Sequence, residues 1–318
     1  MLPDRRSAEN DPGRYHGGGS NSVIAIDVGA TKLIAAVVDP GGRVAFRRKV
    51  LAERGDPGRS IAQIAGSIRE LAVAARDAGV TVRTCGLVVP GIYHPDTGSA
   101  WAPNLWGHAD IPLRAELERQ SGMPVIIDSD RVGYVLGEQW LGAARGLADV
   151  VFLAVGTGIG AGVISGDRLL RGAGDIAGAV GWFALRESWQ DEYAQTGCWE
   201  AEAAGPGLAR RGGAISAEQV VAAARAGDSA ALLAIRRAAR YLGMGIANVV
   251  SLLNPEMIVL GGGLMREADL FLGDIRETML RWAQPIAARQ VRIEVTRLGE
   301  DAALLGAARI ALAASNQK

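Results

Sequence analysis

The sequence predicts an α/β protein built of two similar domains, and three observations carry that reading. An apolar strand, a small glycine-bearing loop, a second strand and a turn open at Ser22 and recur from Val150. Amphipathic helices separate the later strands, as they do when helices cover a sheet. The length of 318 residues matches about two domains at roughly 150 residues each.

The elements follow in order. Ser22–Asp27 is apolar and β-branched, Leu33–Val38 follows at once, and Asp39–Gly42 is a turn into an alternating third strand, Arg43–Val50. Tight turns between consecutive strands predict an antiparallel meander. Ile61, Ile64, Ile68, Leu71 and Ala75 share one face of a helix spanning Ser60–Ala78. A strand at Cys85–Val89, a helix from Ile111 through Gln120, a short strand at Val125–Ile127 and a helix over Val132–Ala144 complete the first half. The second half restarts with strands at Val150–Val155 and Ala161–Ile164, joined by a glycine turn over Gly156–Gly160. Ser216–Leu253 reads as helix with a break near Ala226–Asp228, Met257–Leu260 and Val291–Arg297 as strands, and Ala302–Ala314 as a closing helix.

Composition narrows the function classes. Apolar residues at 49% supply a core and exclude wholesale disorder. Lysine plus arginine and aspartate plus glutamate both number 34, so a strongly basic footprint for nucleic acid is missing and no nucleic-acid partner is expected. No apolar run reaches about 18 residues, which argues against a membrane span. Cys85 and Cys198 are too few and too far apart for a disulfide scaffold and suit a cytoplasmic protein. Residues 1–21 lack a secretory apolar run, end in a glycine cluster and read as a flexible tail.

Three glycine-bearing loops follow apolar strands, at 27–32 (DVGATK), 156–160 (GTGIG) and 261–263 (GGG). Without a Cβ, backbone amides can face an anion, and such concave clusters favour phosphate. Asp27, at a strand end, is placed to hold a hydrated Mg²⁺ beside those phosphates. One such loop alone is more often a plain tight turn, whereas three at matching places in a duplicated fold favour the phosphate reading. The P-loop pattern is absent, and the dinucleotide-like spacing from Gly156 to Ala161 leads into a strand where that motif needs a helix.

DVGATK, APNL at 102–105, IIDSD at 126–130, VGTGIGAGVI at 155–164, GCWE at 197–200, NPEMIVLGGG at 254–263 and LGEDAALLGAA at 298–308 together resemble the ROK family. That family holds repressors, uncharacterised reading frames and sugar kinases of the actin-like ATPase superfamily, and the resemblance covers about residues 22–314. It implies two duplicated actin-like ATPase (ribonuclease H-like) domains with ATP and Mg²⁺ in an interdomain cleft. The N-terminal domain would span 22–130, with the helix at 302–314 returning to it, and the C-terminal domain 131–301. The family's repressors carry a further N-terminal DNA-binding domain, so the short tail here favours a glucokinase-like sugar kinase.

The resemblance also assigns roles. Asp27, Gly29, Thr31 and Lys32 correspond to the first phosphate loop, Gly156, Thr157, Gly158 and Gly160 to the second, and Gly261, Gly262 and Gly263 to the adenosine side. Asp130 stands at the catalytic aspartate that accepts the proton of the sugar's primary hydroxyl, a role suited to a carboxylate in phosphoryl transfer. By position alone it is equally a cap of the helix near Val132. Asn104, Ser129 and Glu200 are the sugar-side candidates. A homodimer is expected on the resemblance alone.

Departures gather on the sugar side. Ser129 replaces the family's usual asparagine. Where family kinases read Gly-Glu-Ile-Gly-His, residues 178–183 are Gly178, Ala179, Val180, Gly181, Trp182 and Phe183, so both polar groups are lost. Of the family's zinc cysteines only Cys198 remains; structural zinc needs four ligands, so no zinc is expected. Trp182, Phe183, Trp189, Tyr193 and Trp199 are expected to fold this insert by hydrophobic packing, and Arg210 and Arg211 to form a solvated helix end. An altered polar pocket implies an altered acceptor: glucose, or an analogue such as an aminodeoxyglucose (kanosamine-like) or a cyclitol. The alternative is a non-catalytic sugar or nucleotide sensor.

Overall fold

A computed structural model describes residues 21–315. The expected flexible tail lies outside the described residues apart from the exposed Asn21. The chain divides into two compact units, one of residues up to Gly133 joined by those from Ala303, the other Tyr134–Ala302.

In the first unit, β1 (Ser22–Val28), β2 (Lys32–Val38) and β3 (Val44–Leu51) form the predicted antiparallel meander. The turn between β2 and β3 is fixed by Asp39, whose carboxylate accepts the Gly41 and Arg43 amides at 2.9 Å. Helix α1 (Pro57–Asp77) starts where Asp56 accepts the Arg59 amide and Pro57 occupies the first turn. Its buried face is the predicted one, Ile61, Ile64, Ile68, Leu71 and Ala75. Each large member contributes roughly 1.5–3 kcal/mol by leaving water. Strand β4 (Val82–Val89) lies parallel to β1.

A small antiparallel sheet follows, β5 (Ile92–His94), β6 (Ser99–Trp101) and β7 (Asp110–Ile111), with the helical turn α2 (Pro103–Trp106) before its last strand. Its strands are too short to show a hydrophobic period, which is why the sequence reading passes over them. Helix α3 (Leu113–Ser121) ends at Gly122, left-handed at φ 71°. Strand β8 (Val125–Ser129) joins β4 in parallel, and α4 (Asp130–Leu141) begins two residues before the predicted start. The five-stranded order is β3-β2-β1-β4-β8.

The second unit repeats this plan with β9 (Val150–Val155), β10 (Ile159–Ser165) and β11 (Arg168–Leu169) as its meander. Short helices α5 (Tyr193–Thr196), α6 (Cys198–Ala203) and α7 (Gly205–Arg211) precede α8 (Ala217–Arg225) and α9 (Ser229–Leu253). The predicted break between the last two is a left-handed Gly227 (φ 89°) followed by Asp228, whose side chain caps α9 at the Ala231 amide. Strand β12 (Met257–Gly261), helices α10 (Leu272–Trp282) and α11 (Pro285–Gln290), and β13 (Arg292–Val295) complete the sheet, in the order β11-β10-β9-β12-β13. Both sheets thus share one pattern: two antiparallel pairings on one side of the first strand and two parallel ones on the other. This is the duplicated α/β architecture that the sequence predicts.

The last helix, α12 (Ala302–Ser315), belongs to the first unit from Ala303 onward. There Gly306 lies directly on Gly133 of α4, and a Cβ at Gly306 would overlap the Gly133 carbonyl. Among the described residues no helix is long and apolar enough to cross a membrane.

Candidate active site

The predicted site residues fall into two groups, one in each unit. In the first unit the buried Asp27 is the penultimate residue of β1. The register pairs Asp27 with Val88 and Val88 with Asp128, so Asp27 and the segment Asp128–Asp130 share the C-terminal edge of one sheet. That edge is where open α/β sheets bind ligands. The Gly29 amide is bonded to the Lys32 carbonyl at 2.8 Å, closing the β1–β2 turn. That amide is therefore committed to the turn, which narrows the expectation that this loop offers its glycine amide to phosphate. Thr31 is exposed on the turn, and Lys32 opens β2.

At the end of β8, Asp128 and Ser129 are buried, and the Asp128 carboxylate accepts the Ser129 amide at 2.8 Å. Asp130 is the first residue of α4 and partly exposed, its Oδ1 accepting the Arg131 amide at 2.8 Å. Loss of water around this carboxylate raises it to about 6, against the opposing pull of the Arg131 guanidinium and nearby backbone amides. A carboxylate in that range is ionised at neutral pH yet basic enough to accept a proton. Asn104 is exposed on α2 beside the buried Leu105 and Trp106.

In the second unit the strand-end loops of β9 and β12 stand side by side. Gly156 donates to the Gly158 carbonyl at 2.9 Å, and its own carbonyl accepts the Gly205 amide at 2.8 Å. Thr157 is exposed at the loop tip. Gly160 departs from the expected glycine turn: it lies inside β10, opposite Ala154. Gly261 ends β12, and a Cβ there would overlap the Phe152 ring. Gly262 is left-handed at φ 92°, and a Cβ there would overlap the Val155 carbonyl. Gly263 faces open space, and a Cβ on Gly156 would lie 3.4 Å from the Gly263 amide nitrogen. Close packing thus demands the first two glycines, whereas Gly263 and the exposed Thr157 leave space at this edge, and both backbone groups of Gly156 are committed to the loop.

Glu200, on α6, meets that same loop. Its carboxylate accepts the Ile159 amide at 2.7 Å, and Cβ atoms built on Gly158 and Gly181 would stand 2.6 and 3.1 Å from it. Burial raises its carboxyl above the usual range, and the Ile159 bond opposes that shift. The altered segment at 178–183 turns on Gly178, left-handed at φ 88°, whose Cβ would overlap the Ala161 carbonyl. Trp182 then emerges 54% exposed.

Where the resemblance places zinc, the sequence predicts a hydrophobic substitute, and the structure shows one for only part of that set of aromatics. Trp199 and Tyr193 are buried, Phe183 stacks on Trp199 at 5.7 Å, but Trp182 and Trp189 are exposed. The insert is instead centred on the fully buried Glu202. Its carboxylate accepts the Tyr193 hydroxyl at 2.6 Å and Arg186 at 3.0 Å, and pairs with Arg211. Burial opposes its ionisation, but the Tyr193 hydroxyl and Arg186 hold it below the usual range. Arg211 is therefore a half-buried partner rather than a solvated helix end, and it also donates to the Glu202 carbonyl at 2.8 Å. Arg210 binds Glu192 at 2.9 Å. No sequence motif announces this cluster, because its members come from four separate segments. Among the described residues no group of three or more His, Cys, Asp or Glu is arranged to hold a metal. Cys85 is a buried small hydrophobe, and burial pushes its thiol far up.

Two sheets of one topology, each ending in turn-forming loops at the C-terminal edge, define a duplicated α/β protein of the nucleotide-binding kind. The chain belongs to the ROK family, which matches residues 23–314. It is 30% identical to a glucokinase of Halalkalibacterium halodurans over 89% of this chain and 92% of that one. It is 29% identical to a xylose repressor of Caldicellulosiruptor bescii, over 90% of this chain and 76% of that one. Among solved structures, a ROK hexokinase from Thermus thermophilus superposes with a TM-score of 0.80 at 32% identity, over 93% of this chain and all of that one. A ROK glucokinase from Streptomyces griseus, in complex with glucose and AMPPNP, gives 0.77 at 28% identity, over 92% of this chain and all of that one.

Proposed function

We propose that this ATP-dependent sugar phosphotransferase moves the γ-phosphoryl group of ATP to the primary (6-position) hydroxyl of glucose or a glucose analogue. The observation that carries the assignment of the base is Asp130: a carboxylate that opens α4 two residues beyond Asp128, which the register aligns with Asp27 across β4, and that is raised to about 6. Asp130 accepts the proton of the acceptor hydroxyl as its oxygen bonds to the γ-phosphorus and the bond to the ADP oxygen breaks. Thr157, Gly158 and Gly263 supply backbone contacts to the nucleotide, Gly156 closes the loop on Gly158 and Gly205, Gly261 and Gly262 hold that edge in shape, and Gly160 aligns the loop from within β10. Thr31 and Lys32 act from the first turn, with Gly29 closing it. Asp27 is the residue to hold Mg²⁺ through water; the metal neutralises charge on the phosphates when bound. Ser129, Asn104 and Glu200 orient the acceptor.

The acceptor is proposed to differ from that of ordinary family kinases. Ala179 and Trp182 stand where the resemblance places a glutamate and a histidine, so an aminodeoxyglucose or a cyclitol is as reasonable an acceptor as glucose. Buried polar partners decide such choices. A sensor without turnover is the second reading, favoured by the similarity to the xylose repressor. ADP release measured over glucose, mannose, aminodeoxyglucoses, N-acetylhexosamines and cyclitols tests the two. Turnover with any of them supports the kinase reading, and nucleotide binding without turnover supports the sensor.

A further inference from the structure

A cavity of about 280 Å³ lies in the insert between the altered segment and α6, wholly within the second unit, lined by Trp182, Arg186, Glu187, Ser188, Trp189 and Tyr193. Neither Glu200 nor any residue of the glycine loops at 156–160 and 261–263 lines it. Ligand pockets commonly run from about 300 to 1,000 Å³, so this one suits a single ring. Two of its walls are indoles left in water, 54% exposed at Trp182 and 68% at Trp189. Exposed apolar surface gathered in one place and rimmed by polar groups marks an interaction site. The walls are also held before any ligand arrives. Glu202, fully buried, accepts Arg186 at 3.0 Å and the Tyr193 hydroxyl at 2.6 Å. Arg186 donates on to Ser188 at 3.2 Å, and Trp189 meets Tyr193 edge-on at 5.9 Å. Walls ordered in advance lower the cost of binding.

The rim decides the chemistry of the occupant. The exposed Glu187 carboxylate only accepts hydrogen bonds, the Arg186 guanidinium only donates them, and the Ser188 hydroxyl does both. An anion would meet Glu187 and a cation would meet Arg186, and like charges brought together weaken binding. A neutral ring carrying several hydroxyls satisfies all three groups, donating to Glu187 and accepting from Arg186. Indoles offer flat apolar faces, which the C–H face of a pyranose matches.

We infer that this cavity is a saccharide site of its own, taking one neutral pyranose ring that is neither the acceptor nor joined to it. The inference goes beyond the proposed function and holds for a kinase and for a sensor alike. A free sugar and the terminal ring of an oligosaccharide share this chemistry. Equilibrium dialysis of the full chain against labelled glucose, methyl galactoside, N-acetylglucosamine and maltotriose tests it and separates the two sources. For at least one of these sugars the parent should bind about one ring per chain more than Trp189→Ala, with a Kd of roughly millimolar order. Trp189→Phe should keep that ring, and Glu187→Ala should weaken it by about fivefold, the scale of one lost hydrogen bond. Any acceptor-dependent ADP release should be the same in the parent and in all three variants, because these residues lie outside the proposed machinery. The same number of rings on the parent and on Trp189→Ala with every sugar would overturn the site. So would displacement of the Trp189-dependent ring by benzoate or tetramethylammonium at lower concentration than by any sugar, because the occupant would then be an ion. A Trp189-dependent ring in a chain that releases no ADP supports the site and defeats the kinase reading alone.

Discussion

The Glu200 carboxylate accepts the Ile159 amide at 2.7 Å and so ties helix α6 to the loop that opens β10. One side chain thereby touches the proposed sugar side at Gly181 and the proposed phosphate loop at Gly158. Glu200→Gln keeps an oxygen able to accept the amide, whereas Glu200→Ala leaves that amide without its partner. We predict that the alanine variant raises KM for both ATP and acceptor by about tenfold, in line with a lost charge-assisted bond of roughly 1.5–3 kcal/mol. The glutamine variant should raise only the acceptor KM. Initial-rate kinetics with each substrate varied in turn checks this.

Asp130 sets the expected pH dependence. With its folded value raised to about 6, kcat/KM should fall on the acid side with a midpoint near pH 6. Asp130→Asn should lower kcat by at least about 10²-fold, the scale of lost general-base catalysis, while nucleotide affinity stays within about twofold.

The same raised value predicts a stability effect. From the ordinary carboxylate range up to about 6, the unfolded chain is ionised while the folded one holds the proton, so stability falls as pH rises through that window. Asp130→Asn escapes this cost. Its unfolding free energy should exceed the parent's at pH 7 by on the order of 1 kcal/mol, read from urea midpoints, and the difference should vanish below about pH 4.

Glu202 takes the cross-linking part in the insert. Removing one partner of a buried ion pair costs about 3–5 kcal/mol, so Glu202→Ala should lower stability on that scale by thermal or denaturant unfolding. A chelator should leave the Tm of the parent unchanged but stop turnover by removing Mg²⁺. Stoichiometric zinc in the purified chain would contradict this account of the insert.

Two close approaches give a packing test. A Cβ at Gly245 would overlap the buried Trp199 indole, and one at Gly306 the Gly133 carbonyl. Gly245→Ala and Gly306→Ala should each destabilise by about 1–3 kcal/mol, the usual cost of overpacking, although alanine favours helix in general. Urea midpoints measure both.

Local signals made much of this fold legible. Asp39 and Gly42 announce their turn, the Ile61–Ala75 face announces its helix, and the recurring strand–loop–strand pattern leads to two sheets of one order. The β5–β7 sheet was not legible, because strands of two or three residues carry no period. Among the site residues, Asp27 and Asp130 stand at strand ends that motifs mark, but Gly160 belongs to a strand because β10 starts earlier than its glycines suggest. The Glu202 cluster escaped for a different reason. Its bonds join Arg186, Tyr193 and Arg211 across turns that bring distant segments together, and no spacing along the chain encodes that meeting.

The most direct test of the central claim is ADP release from ATP and Mg²⁺ with glucose and its analogues, run on the parent and on Asp130→Asn. The account predicts acceptor-dependent release by the parent and its loss in the variant. Release that is equal in both, or absent from the parent with every acceptor, would contradict it.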